Sequence, residues 1–159
     1  FAKANMVLAG QACGKNNYAE WCRFRRIGLQ WGAILATIFG LVIHIFWEEI
    51  FTLYNKDAQA LALSYTVMLM VAWHFYLTSQ TLITGSILRG SGKTTIVAAL
   101  SFVLITILRP LMTAVAVYYL AWGIVGVWVA ICLDQILRSG CFTYILYQIK
   151  ALPIMPAKA

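Results

Sequence analysis

Leu88-Arg89-Gly90-Ser91-Gly92-Lys93-Thr94-Thr95 is the stretch on which the fold of this chain turns. Its Gly-Ser-Gly-Lys-Thr-Thr portion looks like the end of a nucleotide-binding P-loop. That motif requires a glycine five positions before Gly92, where this chain has Ile87. A P-loop also follows a short buried strand and opens an αβ unit. Here the flanking segments are apolar and each about 25 residues long, which is the length of a membrane span. The stretch is therefore expected to be a basic, glycine-rich turn between two membrane helices, with no ATP bound.

Composition agrees. The 159 residues are 62% hydrophobic and 11% charged, against roughly 45–50% and 25% in a soluble domain. So few charges cannot cover a water-facing surface, so lipid must be the solvent for most of it. The net charge of +7 does not indicate nucleic acid, because the cations fall between apolar segments rather than on one basic-aromatic platform. The opening at Phe1 lacks a charged n-region, an apolar stretch and a cleavage site, so the chain is expected to start within a longer protein. Cys13, Cys22, Cys132 and Cys141 have no ligand-like spacing, so neither a metal site nor a disulfide framework is expected. They read as small packing residues.

Four apolar segments can be drawn, at about 27–46, 60–88, 96–120 and 124–149, with residues 1–9 as the tail of an earlier span. Each should be a helix, since an open strand leaves backbone groups unsatisfied in lipid. The expected fold is thus an all-α, polytopic transmembrane helix bundle. Charge offers an independent test of topology. Lys15, Arg23, Arg25 and Arg26 precede the first span, Arg89 and Lys93 follow the second, and Lys150 and Lys158 follow the fourth. Those segments (10–26, 89–95 and 150–159) share one side if all four cross, and the positive-inside rule places them, with the C-terminus, in the cytoplasm. The other side holds Glu48, Glu49, Lys56, Asp57 and the uncharged turn around Trp122. The segment from Trp47 to Gln59 reads first as an interfacial loop, with an amphipathic gating helix as the alternative.

Several side chains stand out within the spans. Gly28, Gly32, Ala36 and Gly40 recur every four residues, a spacing that lets another helix approach closely. His44 continues that stripe near the outer end. His74, Thr78, Thr81 and Gly85 share one face of the second span, with Gln80 and Tyr76 at its edges. Polar groups on a membrane helix avoid lipid, so this face either bonds to neighbouring helices or lines a substrate or ion pathway. Arg109 lies inside the third span just before Pro110, which is expected to free the Thr106 carbonyl and kink the helix. Asp134 and Arg138 lie four apart on the fourth span. Counted from the outer turn, Arg109 is about 16 Å deep and Asp134 about 12 Å. An antiparallel hairpin should therefore gather Arg109, Asp134 and Arg138 into an intramembrane charge network. Such a network serves either as a structural lock or as a pair that breaks and reforms during transport.

The order of motifs resembles the multidrug and toxic compound extrusion (MATE) transporters. Gly10-Gln11-Ala12-Cys13-Gly14-Lys15-Asn16 is similar to their Gly-Gln-x-x-Gly-Ala-Gly/Asn cytoplasmic signature. Leu88 to Thr94 is similar to their Leu-Arg-Gly-x-Gly-Asp/Lys-Thr turn, so that Gly10, Gln11, Gly14, Arg89, Gly90 and Gly92 are assigned to cytoplasmic turns. Gly123-Ile124-Val125-Gly126-Val127-Trp128 is similar to the Gly-x-x-Gly-x-Trp opening of a lobe's last helix. Three departures stand out: Thr95-Ile96 where a proline often follows the turn, Lys15 for the common alanine, and no carboxylate on the second span.

The resemblance implies the last four helices of the second lobe of a twelve-helix transporter in the cell membrane. It also implies alternating-access export of small amphipathic or cationic compounds against inward H+ or Na+. The partners implied are the lipid bilayer, the missing N-terminal lobe and the small substrate; no nucleic acid and no ATP enter. A lipid-linked saccharide flippase of the same superfamily and a non-transporting four-helix scaffold subunit are the alternatives. An enzyme is not expected, since no nucleophile–base pair or metal set stands at useful spacing.

Overall fold

A computed structural model describes residues 1–53 and 58–151, and the side chains of 58–63 and 149–151 are not described. Tyr54, Lys56, Asp57 and the tail with Pro153, Pro156 and Lys158 lie outside the described residues. The elements run α1 (Ala2–Gly14), α2 (Tyr18–Ile45), α3 (Trp47–Thr52) and α4 (Ala58–Gly90). They continue as α5 (Thr94–Phe102), π1 (Val103–Leu108), α6 (Arg109–Ala114), π2 (Val115–Tyr119) and α7 (Gly123–Ala151). Among the described residues all regular structure is helical, and the chain is an all-α polytopic membrane bundle. Tyr18–Ile45, Thr94–Tyr119 and Gly123–Gln148 are each long and apolar enough to cross a membrane. The segment expected at 60–88 falls within α4, whose 33 residues extend about 50 Å. Its apolarity is diluted by the run of serines and threonines, His74 and Gln80.

α4 is the central element, touching α1, α2, α3, α5 and α7. The buried side chains gather at its basic end, where Ala9, Ala12, Trp21, Ile83, Ile87, Leu88, Val97, Phe142 and Leu146 form one cluster. Large apolar side chains farther along, such as Phe39, Ile107 and Leu111, remain exposed. An aqueous exterior would not tolerate so many on helices of this length; lipid does.

Two sequence assignments change here. The basic run Arg23 to Arg26 is not in a loop, because α2 starts at Tyr18, where the Asn17 side chain accepts from Glu20 N at 3.2 Å and caps the helix. Gly10, Gln11 and Gly14 lie within α1, and Arg89 and Gly90 within the last turn of α4. The turns proper are shorter, and both close in one way. At the end of α1, Asn16 N–H donates to Cys13 O and Asn17 N–H to Ala12 O, each at 3.0 Å, with Asn16 at φ 52. At the end of α4, Gly92 N–H donates to Arg89 O (3.1 Å) and Lys93 N–H to Leu88 O (3.0 Å), with Gly92 at φ 78. Both are Schellman caps, which need a left-handed residue and so favour Gly or Asn. The amides that would cradle a phosphate in a P-loop are spent here on the carbonyls of α4. Ser91 ties the turn down: its hydroxyl donates to Ile87 O and accepts from Trp21 Nε1, each at 2.9 Å.

Gly90 has a packing task instead. A Cβ on it would collide with the Met6 carbonyl oxygen of α1, and one on Gly10 would lie 3.3 Å from Gly90 O. The two helices cross backbone to backbone.

The segment after Trp47 forms the six-residue helix α3 rather than a plain loop, with Trp47 edge-on to Tyr65 at 5.3 Å. Pro110 sits in a stretch of altered helix geometry. The turns before it widen to π geometry, with Arg109 N–H bonding Leu104 O five residues back, and this wider path accommodates the missing donor and the ring.

Gly90→Ala should destabilise the protein by about 1–3 kcal/mol through backbone overpacking. Gly14→Ala, whose Cβ meets nothing within 4 Å, should change stability by less than about 0.5 kcal/mol. Thermal unfolding of the two purified variants in detergent separates them.

Candidate functional site

Asp134 is fully buried at the centre of the charge network expected from the sequence. All its contacts fall on one oxygen. Oδ2 accepts from Arg109 Nε at 3.1 Å, from Arg109 Nη2, and from Arg138 Nη2 at 3.3 Å. Oδ1 and Arg138 Nε are buried and have no partner among the described residues. The side chains of Arg109 and Arg138 are 28% and 12% exposed, so two largely covered cations share one carboxylate.

The network does not stop there. Arg138 Nη2 donates to Gln135 Oε1 at 2.8 Å, and Gln135 Nε2 donates to Thr78 Oγ1 at 2.8 Å. Thr78 Oγ1 in turn lies 3.2 Å from His74 Nε2, whose ring stands edge-on to Trp128 at 6.2 Å. A continuous polar chain thus runs from Arg109 on α6, through α7, to His74 on α4. Sequence reading missed Gln135, which joins the two groups it had treated separately. The available signal was a buried-type amide three residues before Arg138 on an otherwise apolar helix, the i,i+3 spacing of a side-chain pair.

The rest of the α4 stripe behaves differently. Thr81 is buried and satisfies itself on Leu77 O (2.8 Å). Gln80 donates to Leu29 O (3.3 Å) and Ser79 to Gly32 O (2.9 Å), both on α2. Gly85 faces Phe142 of α7. Of the pathway candidates, His74 and Thr78 join the charge network, whereas Gln80 and Thr81 serve helix contacts. Gly28, Gly32, Ala36 and Gly40 form the buried face of α2. A Cβ on Gly28 would crowd Asn5 of α1, one on Gly32 would collide with Ile83 of α4, and one on Gly40 would touch Ala72.

Beyond Gly40, a cavity of about 510 Å³ opens between α2 and α4, lined by His44, Leu69, Trp73 and Tyr76 among others. His44 is not part of the charge network; its ring lies 6.2 Å from that of Tyr65. The four cysteines are free thiols. Among the described residues no three His, Cys, Asp or Glu side chains come together as a metal site would require.

Comparison with known proteins gives two matches. A family profile described as MatE matches residues 1–115. The chain is 28% identical over 134 residues to a probable multidrug resistance protein NorM of Thermotoga maritima, an alignment covering 84% of this chain and 29% of that protein. The chain therefore spans less than a third of that relative's length. No solved structure matches.

Removing the Asp134 charge leaves Arg109 and Arg138 facing each other without a counter-ion. Asp134→Asn should therefore cost about 3–5 kcal/mol of stability. Arg138→Gln should cost less, because Arg109 keeps its two bonds to the carboxylate. Comparing unfolding midpoints of the two variants in lipid tests the ranking.

Proposed function

The chain belongs to the MatE family of transporters, and on that premise we propose that it forms part of a secondary active exporter. Its cargo would be amphipathic or cationic xenobiotics, leaving the cell in exchange for H+ or Na+ by alternating access. The observation that carries this reading is the polar chain from His74 through Thr78, Gln135, Arg138 and Asp134 to Arg109. Its members lie on three different helices, so a change of charge or hydration at one end alters the bonds that hold the others. Intramembrane ionisable groups are costly and usually mark ion or substrate paths. Coupling requires that cation and cargo favour different conformations of the same element.

The cavity of about 510 Å³ falls within the range of roughly 300–1,000 Å³ for drug-sized ligands. Trp73 and Tyr76 on its wall offer ring faces to a cation. In this reading all four long helices cross the cell membrane, the basic segments and the C-terminus face the cytoplasm, and the segment supplies the last four helices of a second lobe. The other lobe of the same protein completes the translocation path, lipid surrounds it, and the coupling cation rather than ATP drives it.

A second reading is favoured by the excess of two guanidinium groups over one carboxylate. That surplus suits a phosphate-bearing cargo, as in a lipid-linked saccharide flippase.

Proteoliposomes carrying separate H+ and Na+ gradients decide between them. One gradient should drive export of a fluorescent amphipathic cation. Thr78→Val and Gln135→Leu should each slow that export about tenfold, the rate equivalent of one lost hydrogen bond near a charge. If neither gradient moves any amphipathic cation while a lipid-linked saccharide is translocated, the flippase takes its place.

A further inference from the structure

A separate cavity, of about 280 Å³, opens between α2, α4 and α7 toward the basic end of the bundle. Arg25, Gln80, Thr84, Ser139 and Thr143 supply its polar wall. Serine and threonine hydroxyls in helices ordinarily bond a carbonyl one turn back, as Thr81 does on Leu77 (2.8 Å). The hydroxyls of Thr84, Ser139 and Thr143 make no hydrogen bond among the described residues, although Thr84 is only 3% exposed. Arg25 has no carboxylate partner among the described residues, and its guanidinium stands 6.0 Å from the Trp21 ring. Three uncommitted hydroxyls and an uncompensated guanidinium therefore converge on one space. A contiguous groove of about 320 Å³ shares Arg25 and Leu29 and continues past Arg26 and Tyr18. The Tyr18 hydroxyl there is buried and has no hydrogen-bond partner among the described residues.

We infer that this cavity holds the phosphate of an anionic phospholipid headgroup. Hydroxyl donors around an arginine fork match phosphate oxygens, and the fixed positive charge of Arg25 repels the cationic cargo proposed above. Size argues in the same direction, since about 280 Å³ lies just below the range for drug-sized ligands. Location argues for lipid rather than free phosphate. The site lies between helices of a membrane bundle, and its Arg25 belongs to the basic run Arg23 to Arg26. Basic pockets between helices at this level bind headgroups electrostatically. The site is independent of the exporter reading and shares no side chain with the Arg109–His74 chain.

The test is lipid retention by the purified protein in mixed micelles, quantified by mass spectrometry, with phosphatidylglycerol, phosphatidylcholine and inorganic phosphate as probes. Wild type should retain phosphatidylglycerol in preference to phosphatidylcholine, and millimolar phosphate should not displace it. Arg25→Gln should weaken retention about fivefold. Thr84→Val, which preserves side-chain shape, should weaken it without altering thermal unfolding, and Arg25→Lys should keep part of it. Arg23→Gln, on the exposed side of the same run, should leave it unchanged. Equal retention of both lipids, equal effects of Arg23→Gln and Arg25→Gln, or displacement by phosphate alone would overturn the inference.

Discussion

A carboxylate with no exposed surface, held between two guanidinium groups, is the constraint to which the half of the bundle around α6 and α7 is fitted. In a low-dielectric interior an uncompensated cation is expensive, so wherever Arg109 and Arg138 go, Asp134 must go with them. Arg138 and Asp134 share α7 and meet through local i,i+4 geometry. Arg109 comes from another helix, so the pair that crosses between elements is Arg109–Asp134. That pair fixes the hairpin made by the third span and α7. Close packing of the same hairpin nearer its turn agrees with it: a Cβ on Gly126 would lie 3.1 Å from Ala116 Cβ. The π segments on either side of α6 allow the third span to satisfy both demands. They turn Arg109 toward Asp134 while accommodating Pro110.

The other half is organised by contact between backbones rather than by charge. α4 packs against α2 along Gly32 and Gly40, and against α1 at Gly90 and Gly10. In lipid the hydrophobic effect gives helices little reason to associate, so close packing and interhelical hydrogen bonds must do so. Ser79 to Gly32 O and Gln80 to Leu29 O are bonds of that kind, made possible because glycine brings the α2 carbonyls within reach. The two halves meet on α4, where Thr78 accepts from Gln135. One helix therefore carries both the glycine-packed contact and the end of the charged chain.

Much of this was legible in the sequence, for definite reasons. Span length and the placement of Arg and Lys report directly on the solvent, so the helical membrane class follows from composition alone. The small-residue stripe of α2 was readable because i,i+4 repetition has one common physical cause. Arg109, Asp134 and Arg138 were readable as a group because depth along two antiparallel helices is simple arithmetic. What could not be read was partner choice among neutral polar groups. Thr78 and Thr81 look alike in sequence, yet one reaches across to Gln135 and the other folds back on Leu77. Gly90 was equally ambiguous, since a turn and a helix crossing both call for glycine. The short turns were overestimated for a third reason: capping by Asn17 and the left-handed Asn16 and Gly92 lets the helices extend beyond their apolar cores.

The geometry of the network also ranks its arms. Arg109 makes two bonds to Oδ2 of Asp134, whereas Arg138 makes one long bond of 3.3 Å and a shorter one of 2.8 Å to Gln135. Oδ1 and Arg138 Nε remain without partners among the described residues, so the network holds unused capacity on the Arg138 side. Moving Arg138 off the carboxylate breaks one bond of 3.3 Å, whereas moving Arg109 off it breaks two. The fixed arm lies within the hairpin of the third span and α7, and the looser arm leads through Gln135 and Thr78 toward α4. A structural lock and a limited rearrangement are therefore compatible in one cluster: Arg109–Asp134 holds the hairpin, and Arg138 can exchange its neutral partner Gln135 only while it stays beside Asp134.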